Sequence, residues 1–165
     1  MKNCFMDVAD VRSFISSNML DAHIVELAPE STKTSALAAA SLGCTVAEIA
    51  KSIAFGYVAG GKEKTVVAVL SGDKKVDTAK LKRLLGAEKM HIMDPEEVKE
   101  KTGYVIGGVP PFPHKEGITV MADKSLLRFQ YVWAAAGASN AVMKIRPKLL
   151  SEKLHIQFDD ISVKS

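Results

Sequence analysis

The segment 107–114, Gly-Gly-Val-Pro-Pro-Phe-Pro-His, constrains the fold of this chain more than any other. Its two glycines lack Cβ atoms, so the backbone there can adopt positive φ and approach other groups closely. Its three prolines fix φ and carry no N–H, which excludes a helix interior and a central strand. The sequence therefore predicts a rigid loop between core elements. Two interpretations are equally open: the loop holds backbone N–H groups against a ligand, or it is a structural crossover in which the glycines relieve crowding.

The composition is that of an ordinary globular domain. Of 165 residues, 47% are hydrophobic and 25% are charged, which is enough for one substantial core. We therefore expect a single domain over residues 1–165. No apolar run reaches the roughly 20 residues that span a bilayer, and the N-terminus lacks the pattern of a signal peptide. A cytoplasmic protein without membrane contact is the expectation.

The cysteines and the net charge are less informative. Cys4 and Cys44 lie far apart without metal-ligand spacing, so we expect reduced thiols, with Cys44 a small buried residue. The net charge of +3 permits a polyanionic partner such as RNA, and a solvated lysine-rich surface explains it equally well.

Capping residues and hydrophobic periodicity predict alternating helices and strands. Helices are expected to start at Asp7, Thr34, Thr45, Asp77, Asp94 and Pro147. Strands are expected over residues 23–27, 53–58, 65–70, 117–122, 131–136, 141–145 and 155–161. Lys51 falls just beyond the short helix at Thr45, and Gly60 and Gly61 predict a hairpin turn. The pattern indicates an α/β fold of the mixed α+β kind, with a curved mixed sheet and helices packed outside it.

The common catalytic motifs are missing from the sequence. It has no Gly-x-Ser-x-Gly, no His-Glu-x-x-His, no Cys-x-x-Cys and no phosphate-binding Gly-Lys-Ser/Thr loop. We therefore expect neither a metal site nor a bound cofactor, and no serine nucleophile of the usual kind.

Four segments, taken in order, resemble the YbaK/EbsC/ProX family of aminoacyl-tRNA deacylases, whose domain also occurs inside bacterial prolyl-tRNA synthetases. These segments are the alanine-rich stretch from Thr34, residues 48–53, residues 103–111, and residues 123–137. The resemblance covers most of the chain. It implies a mixed, partly barrel-like sheet surrounded by helices, which agrees with the fold predicted from periodicity.

The resemblance also implies roles for individual residues. Lys51 matches the functional lysine of the family, and Gly107 and Gly108 match the glycines whose backbone meets the aminoacyl ester. His114 is a candidate for orienting water or accepting a proton, with loop capping as its alternative. The implied substrate-binding residues are Thr34, Ser35, Ser52, Val109, Pro110, Asp123, Gly137 and Ser139, with helix or turn capping as the alternative for Thr34, Ser35, Asp123 and Ser139. The expected tRNA-binding residues are Lys33, Lys80 and Lys82.

The sequence departs from the family pattern at several positions. The YbaK branch has a serine before its Ala-Gly pair and an acidic residue later, where this chain has Ala135 and Val142. This argues against the cysteinyl-tRNA specificity of that branch. Ser52 replaces the asparagine of the alanyl-tRNA-editing branch, and Pro113 replaces a glycine. The amino acid therefore stays open.

These features predict a deacylase that hydrolyses mischarged tRNA in trans. The ester is already activated, so the protein mainly has to orient it and polarise its carbonyl, with the loop backbone as donor and Lys51 as a cation. The expected partners are the acceptor end of aminoacyl-tRNA and, in addition, an aminoacyl-tRNA synthetase, with the protein a monomer or homodimer. The alternative functions are a non-catalytic module that binds a tRNA end or an aminoacyl adenylate, and a hydrolase of another small acyl ester.

Overall fold

The computed structural model describes residues 5–164, so Cys4 lies outside the described residues. The helices are α1 (Val8–Ser17), α2 (Ser35–Leu42), α3 (Thr78–Leu85), α4 (Pro95–Thr102) and α5 (Lys148–Glu152). The strands are β1 (Ala22–Glu26), β2 (Ile49–Ala59), β3 (Lys62–Ser71), β4 (Lys89–Ile92), β5 (Ile118–Asp123), β6 (Val132–Ala135), β7 (Ala141–Ile145) and β8 (Gln157–Asp159). Short 3-10 helices cover Pro29–Thr32, Val46–Glu48 and Lys124–Arg128.

The predicted helix caps form as expected. Asp7 begins α1 with a reciprocal capping box to Asp10, and the Asp94 side chain accepts the Glu97 N–H at 2.9 Å at the start of α4. Helix α3 ends at Gly86 with φ of 62°, a left-handed conformation that costs glycine little. Local side-chain chemistry thus accounts for these helix boundaries.

The strands of residues 5–164 form one mixed sheet in the order β1-β7-β6-β2-β3-β5-β8, with β4 also pairing with β2. The pairs β1–β7, β6–β7, β2–β3 and β2–β4 are antiparallel. The pairs β2–β6, β3–β5 and β5–β8 are parallel. The long strand β2 is the centre of this arrangement because three strands pair with it.

Strand β3 separates two apolar clusters. Val67 and Val69 pack on one face of the sheet and Val66 and Ala68 on the other, and all four are fully buried. Because successive side chains of a strand point to opposite faces, an uninterrupted apolar run such as β3 has to be covered on both sides. Tyr104 anchors the first cluster and Leu81 of α3 the second, each with no exposed surface.

One predicted strand boundary is wrong, and the error concerns Lys51. Strand β2 begins at Ile49 rather than residue 53, so Lys51 follows the short 3-10 helix Val46–Glu48, as expected, but already lies within the strand. The capping box at Thr45 closes only a single 3-10 turn, and Ile49 and Ala50 then pair with β6. Strand pairing with residues far along the chain therefore extends β2 toward its N-terminus.

The predicted closing strand is also too long. Strand β8 is confined to Gln157–Asp159, and His155 has a left-handed φ of 57° instead of an extended conformation. The His155 and Ile156 N–H groups donate to the Ser151 and Leu150 carbonyls, which close the C-terminus of α5. His155 is therefore part of a helix cap.

The predicted fold class is confirmed: the sheet is mixed, curved and accompanied by helices. Among residues 5–164, no helix combines the length and the apolar composition that crossing a bilayer requires.

Candidate active site

The candidate site begins at a gap in the pairing of β2. Strand β3 pairs with β2 along its length, but on the opposite edge β6 pairs only with Ile49 and Ala50, and β4 only with residues 55–58. The Met93 N–H closes the far end of the gap by donating to the Ala54 carbonyl at 3.0 Å. Lys51, Ser52 and Ile53 have no partner strand on this edge among the residues that the structure describes.

The peptide group of Ser52 points into this gap. Alternate residues of a strand direct their N–H and C=O groups to opposite edges. The Ala54 carbonyl meets Met93 on the β4 side, so the N–H and C=O of Ser52, two residues earlier, face the same open edge. The Ser52 hydroxyl is buried and has no hydrogen-bond partner among the described residues. Ser52 therefore offers unpaired polar groups to a ligand.

A cavity of about 230 Å³ lies at this gap. The predicted residues that line it are Lys33, Thr34, Ser35, Lys51, Ser52, Gly107, Val109 and Ser139. They come from the start of α2, the start of β2, the glycine loop and the turn between β6 and β7. The structure thus brings together residues that are more than 100 positions apart in the chain, from Lys33 to Ser139.

A tight turn presents Gly107 to the cavity. The Gly108 N–H donates to the Val105 carbonyl at 2.9 Å, and Gly107, the third residue of this turn, has φ of 84°. Such a turn requires positive φ at its third position, which explains the glycine. The Gly107 N–H has no protein acceptor within residues 5–164. Of the two glycine amides expected to meet the ester, that of Gly108 is occupied by the turn.

Gly108 allows two loops to pack backbone against backbone. Its carbonyl accepts the Gly137 N–H at 2.9 Å, and a Cβ atom on Gly108 would lie 2.9 Å from the Ala138 Cα. Gly137 in turn has φ of 101°, and a Cβ there would lie 2.6 Å from the backbone carbon of Asp7. Gly108 and Gly137 therefore position the turn that carries Gly107 and lie outside the cavity lining.

The other walls are fixed by capping and loop contacts. The Thr34 hydroxyl accepts the Leu37 N–H at 3.1 Å and so caps α2, while its own proton stays available. Asn140 holds the loop after Gly137 in place, since its side chain donates to the Leu27 carbonyl at 3.0 Å and its carbonyl accepts the Leu27 N–H. The capping interpretation of Thr34 is thus confirmed, and the residue also lines the cavity.

Lys51 lies in a desolvated position at the edge of the cavity. Burial is the main effect and lowers the pKa of Lys51 from its ordinary value; the Asp73 carboxylate opposes this shift, and Lys75 adds to it. The Lys51 Nζ makes only a long contact of 3.5 Å with the Gly72 carbonyl. Asp73 itself forms a bidentate ion pair with Arg128, in which the nitrogen–oxygen distances are 2.8 and 3.2 Å. Among residues 5–164, Lys51 therefore has no close counter-ion.

The structure places His114 away from this cavity. Its Nε2 lies 2.7 Å from the Pro110 carbonyl, and its ring packs edge-on against Tyr104 at 5.6 Å between centroids. The Tyr104 hydroxyl donates to the Pro113 carbonyl at 2.7 Å. Burial lowers the pKa of His114. Because a carbonyl accepts only from a protonated nitrogen, the His114 Nε2–H donates to Pro110, and the histidine caps the loop.

Pro110 and Asp123 also lie outside the cavity. The Pro110 carbonyl faces His114, and its side chain is buried. The Asp123 carboxylate is buried and accepts the Ser125 and Ile161 N–H groups, at 3.1 and 2.8 Å. Asp123 therefore ends β5 and caps the following 3-10 helix, which agrees with the turn-capping role predicted as its alternative.

The two expected tRNA-binding lysines of α3 differ. Lys80 is tied down: its Nζ contacts Asp160 at 3.0 Å and the Ser162 carbonyl at 2.9 Å, and its side chain is only 22% exposed. Lys82 lies in a neighbouring groove that it shares with Lys51. Only Lys82 of this pair is placed to meet a polyanion.

Several lining residues were not predicted as ligand contacts. Trp133, Ala38 and Ile49 line the cavity, and the sequence marks none of the three as a ligand contact. Ala135 and Val142, singled out only as departures from the family pattern, form part of its wall. Their departure from the family pattern was the sequence signal for these two positions.

The lining residues include no Asp, Glu, His or Cys, and residues 5–164 contain no cluster of these side chains that could bind a metal. The cavity thus presents hydroxyls, backbone amides and ammonium groups on an apolar frame.

Cys44 is half-buried, not buried as the sequence had predicted. Burial, together with the charge of Glu48, raises the pKa of its thiol.

A sequence profile described as the aminoacyl-tRNA editing domain matches residues 29–152. The chain belongs to this family. The matched range contains every residue that lines the cavity, from Thr32 to Val142. The resemblance predicted from the four sequence segments is confirmed.

Two proteins and one solved structure are similar to this chain over more than half of its length. The uncharacterized protein YwhH of Bacillus subtilis is 38% identical over 122 residues, which is 74% of this chain and 75% of that protein. The multifunctional Ser/Thr-tRNA deacylase ProXp-y of Escherichia coli is 30% identical over 96 residues, 58% of each chain. A crystal structure of a candidate trans-editing enzyme for prolyl-tRNA synthetase superposes with a TM-score of 0.83 at 32% identity, covering 95% of this chain and 97% of that one.

Proposed function

We propose that this protein hydrolyses the ester bond of mischarged aminoacyl-tRNA in trans, with the aminoacyl group in the cavity at the β2 gap. The observation that carries the proposal is the convergence of the free Gly107 amide, the Ser52 peptide group and the Lys51 ammonium on one small cavity. The deacylase ProXp-y and the editing-domain profile support the same reaction class.

The unpaired strand edge suits an α-amino acid. An aminoacyl group carries an ammonium donor and a carbonyl acceptor on adjacent atoms, as a residue of a partner strand does. The Ser52 carbonyl can accept from the ammonium, and the Ser52 or Gly107 N–H can donate to the ester carbonyl. Hydrogen bonds of this kind to charged groups contribute about 1.5–3 kcal/mol each.

The reaction needs little side-chain chemistry. Water attacks the ester carbon, negative charge develops on the carbonyl oxygen, the carbon–oxygen bond to the ribose breaks, and a proton passes to the ribose oxygen. Gly107 supplies an N–H donor for the developing oxyanion, and the Lys51 ammonium stabilises the same charge. Since no imidazole, carboxylate or thiol lines the cavity among the described residues, the neighbouring ribose hydroxyl serves to orient the water.

The deciding experiment follows loss of the amino acid from a panel of mischarged tRNAs. We expect turnover on at least one of them, and Lys51→Ala to lower kcat/KM by about 10²-fold or more, in the range known for lost transition-state stabilisation. Lys62→Ala, at the tip of the β2–β3 hairpin, is the matched control and keeps full activity.

Lys51→Arg retains the charge on a larger, planar group and is expected to recover part of the rate. Tight binding of charged tRNA without turnover of any member of the panel would instead support the non-catalytic module.

A further inference from the structure

A second groove meets the cavity at Lys51, and its chemistry deepens the proposed function. It has a volume of about 500 Å³ and lies between the open part of β2, strand β4 and the start of α3. Lys51 is the residue that both spaces share. An ester whose acyl group occupies the cavity can extend its alcohol side past Lys51 into this groove.

The groove is basic. Lys51, Lys75 and Lys82 line it, and no Asp or Glu does. Within residues 5–164, Lys75 and Lys82 take part in no ion pair, whereas Lys80 of the same helix is held by Asp160. His91, the remaining titratable lining residue, is engaged with Glu97 at 2.8 Å.

The floor of the groove is apolar. Ile53, Val76 and Met90 line it, and Ile92 on β4 is 64% exposed there, high for a large aliphatic side chain. A volume of this size, apolar with a few convergent polar groups, is typical of small-ligand sites. Lysines around an apolar floor match a ligand that has both phosphates and aromatic rings.

We propose that this groove binds the single-stranded 3′-terminal nucleotides of the tRNA, with phosphates at Lys75 and Lys82 and a base against Ile53 and Ile92. The location of Lys51 supports this placement of the tRNA end, because the terminal ribose has to lie between the aminoacyl cavity and the preceding phosphates. The proposal rests on the proposed function for its ligand, and its test separates the two.

The binding test uses an uncharged RNA minihelix with a single-stranded 3′ end and the same minihelix without its last three nucleotides. We expect Lys75→Glu and Lys82→Glu each to weaken binding of the full minihelix by roughly tenfold and to lower the slope of log affinity against log salt by about one. Lys62→Glu is the matched control because Lys62 lies far from the groove. It pairs with Ala59, which is eight residues along β2 from Lys51. The shortened minihelix should bind all four proteins alike.

The kinetic test compares an aminoacyl minihelix with aminoacyl adenosine, which has no phosphate. We expect the two groove variants to lower kcat/KM only for the minihelix. Effects equal to those of Lys62→Glu, or equal binding of the shortened minihelix by the wild-type protein, would overturn the groove proposal. If the wild-type protein hydrolyses neither substrate, the proposed function fails, and the binding comparison still decides the groove.

Discussion

Ala135 and Val142 lie directly opposite each other in the antiparallel pair β6–β7 and together form one wall of the cavity. The resemblance to the YbaK branch implies a serine and an acidic residue at these two positions, whereas both side chains of this wall are apolar. Directly opposed residues of a sheet are in contact, so the two positions set the size and polarity of the wall jointly.

The first prediction concerns the size of this wall. Ala135→Val adds two methyl groups toward the cavity and should lower kcat/KM for the preferred aminoacyl-tRNA by about tenfold or more, since one methylene is worth about 1–3 kcal/mol in an apolar pocket. Kinetics over the tRNA panel measure this effect. Ala135→Gly is the counterpart that enlarges the cavity and should relax the selection against larger amino acids. If the ranking of the amino acids were unchanged in both variants, Ala135 would not determine the specificity.

The second prediction separates the two glycines of the loop. Gly107→Ala strains a residue with φ of 84° but meets only the Ser139 Cβ, at 3.7 Å, so we expect a loss of about 1–2 kcal/mol in stability and about 10²-fold in kcat. Gly108→Ala places its Cβ 2.9 Å from the Ala138 backbone and should destabilise more. Thermal melting and single-turnover kinetics of both variants measure the two effects. A Gly108→Ala protein as stable as the wild type would contradict the packing of the two loops.

The third prediction uses the partly buried imidazole of His114. Burial lowers its pKa in the folded state, so protonation favours unfolding, and stability falls as the pH drops through the ordinary histidine value of about 6.5 toward the lower folded value. His114→Gln cannot titrate, and its Tm should decline less over this range. Its deacylation rate at neutral pH should stay within a few-fold of the wild type, because His114 does not line the cavity. Parallel acid limbs of the two Tm curves would show that His114 does not carry this pH dependence.

The fourth prediction separates two lysines of one helix. Lys80→Ala removes contacts to Asp160 and the Ser162 carbonyl and should lower Tm by roughly 2–4 °C, as a loss of about 1 kcal/mol does in a chain of this size. Its affinity for RNA should change little. Lys82→Ala should do the reverse, with an unchanged Tm and a weaker affinity. Melting curves and RNA titrations of the two variants decide between these outcomes.

The helix ends were predictable from sequence because they depend on neighbouring residues. Asp7, Asp94 and Gly86 act within one turn of their own helix, and the structure has each where the sequence put it. The start of β2 was not predictable, because Ile49 and Ala50 become strand through pairing with Trp133 and Ala134. For the same reason the contribution of Trp133 to the cavity lining was missed, and Lys51 was not expected within a strand.

The role of His114 shows a second limit of sequence. A histidine beside a glycine loop suits both catalysis and loop capping, and the 2.7 Å contact with the Pro110 carbonyl separates the two. Gly107 and Gly108 were likewise indistinguishable until the Val105 carbonyl was found to engage one amide.

The gap in β2 has a consequence for solubility. Exposed strand edges invite pairing with other chains, and proteins usually protect them. Here the unpaired stretch is only three residues, Lys51 to Ile53, and is bounded by β6 on one side and β4 on the other. A foreign strand of ordinary length would collide with both neighbours, whereas a single amino acid fits between them. Strands β4 and β6 therefore leave room for a ligand between them and at the same time prevent pairing with a strand of another chain.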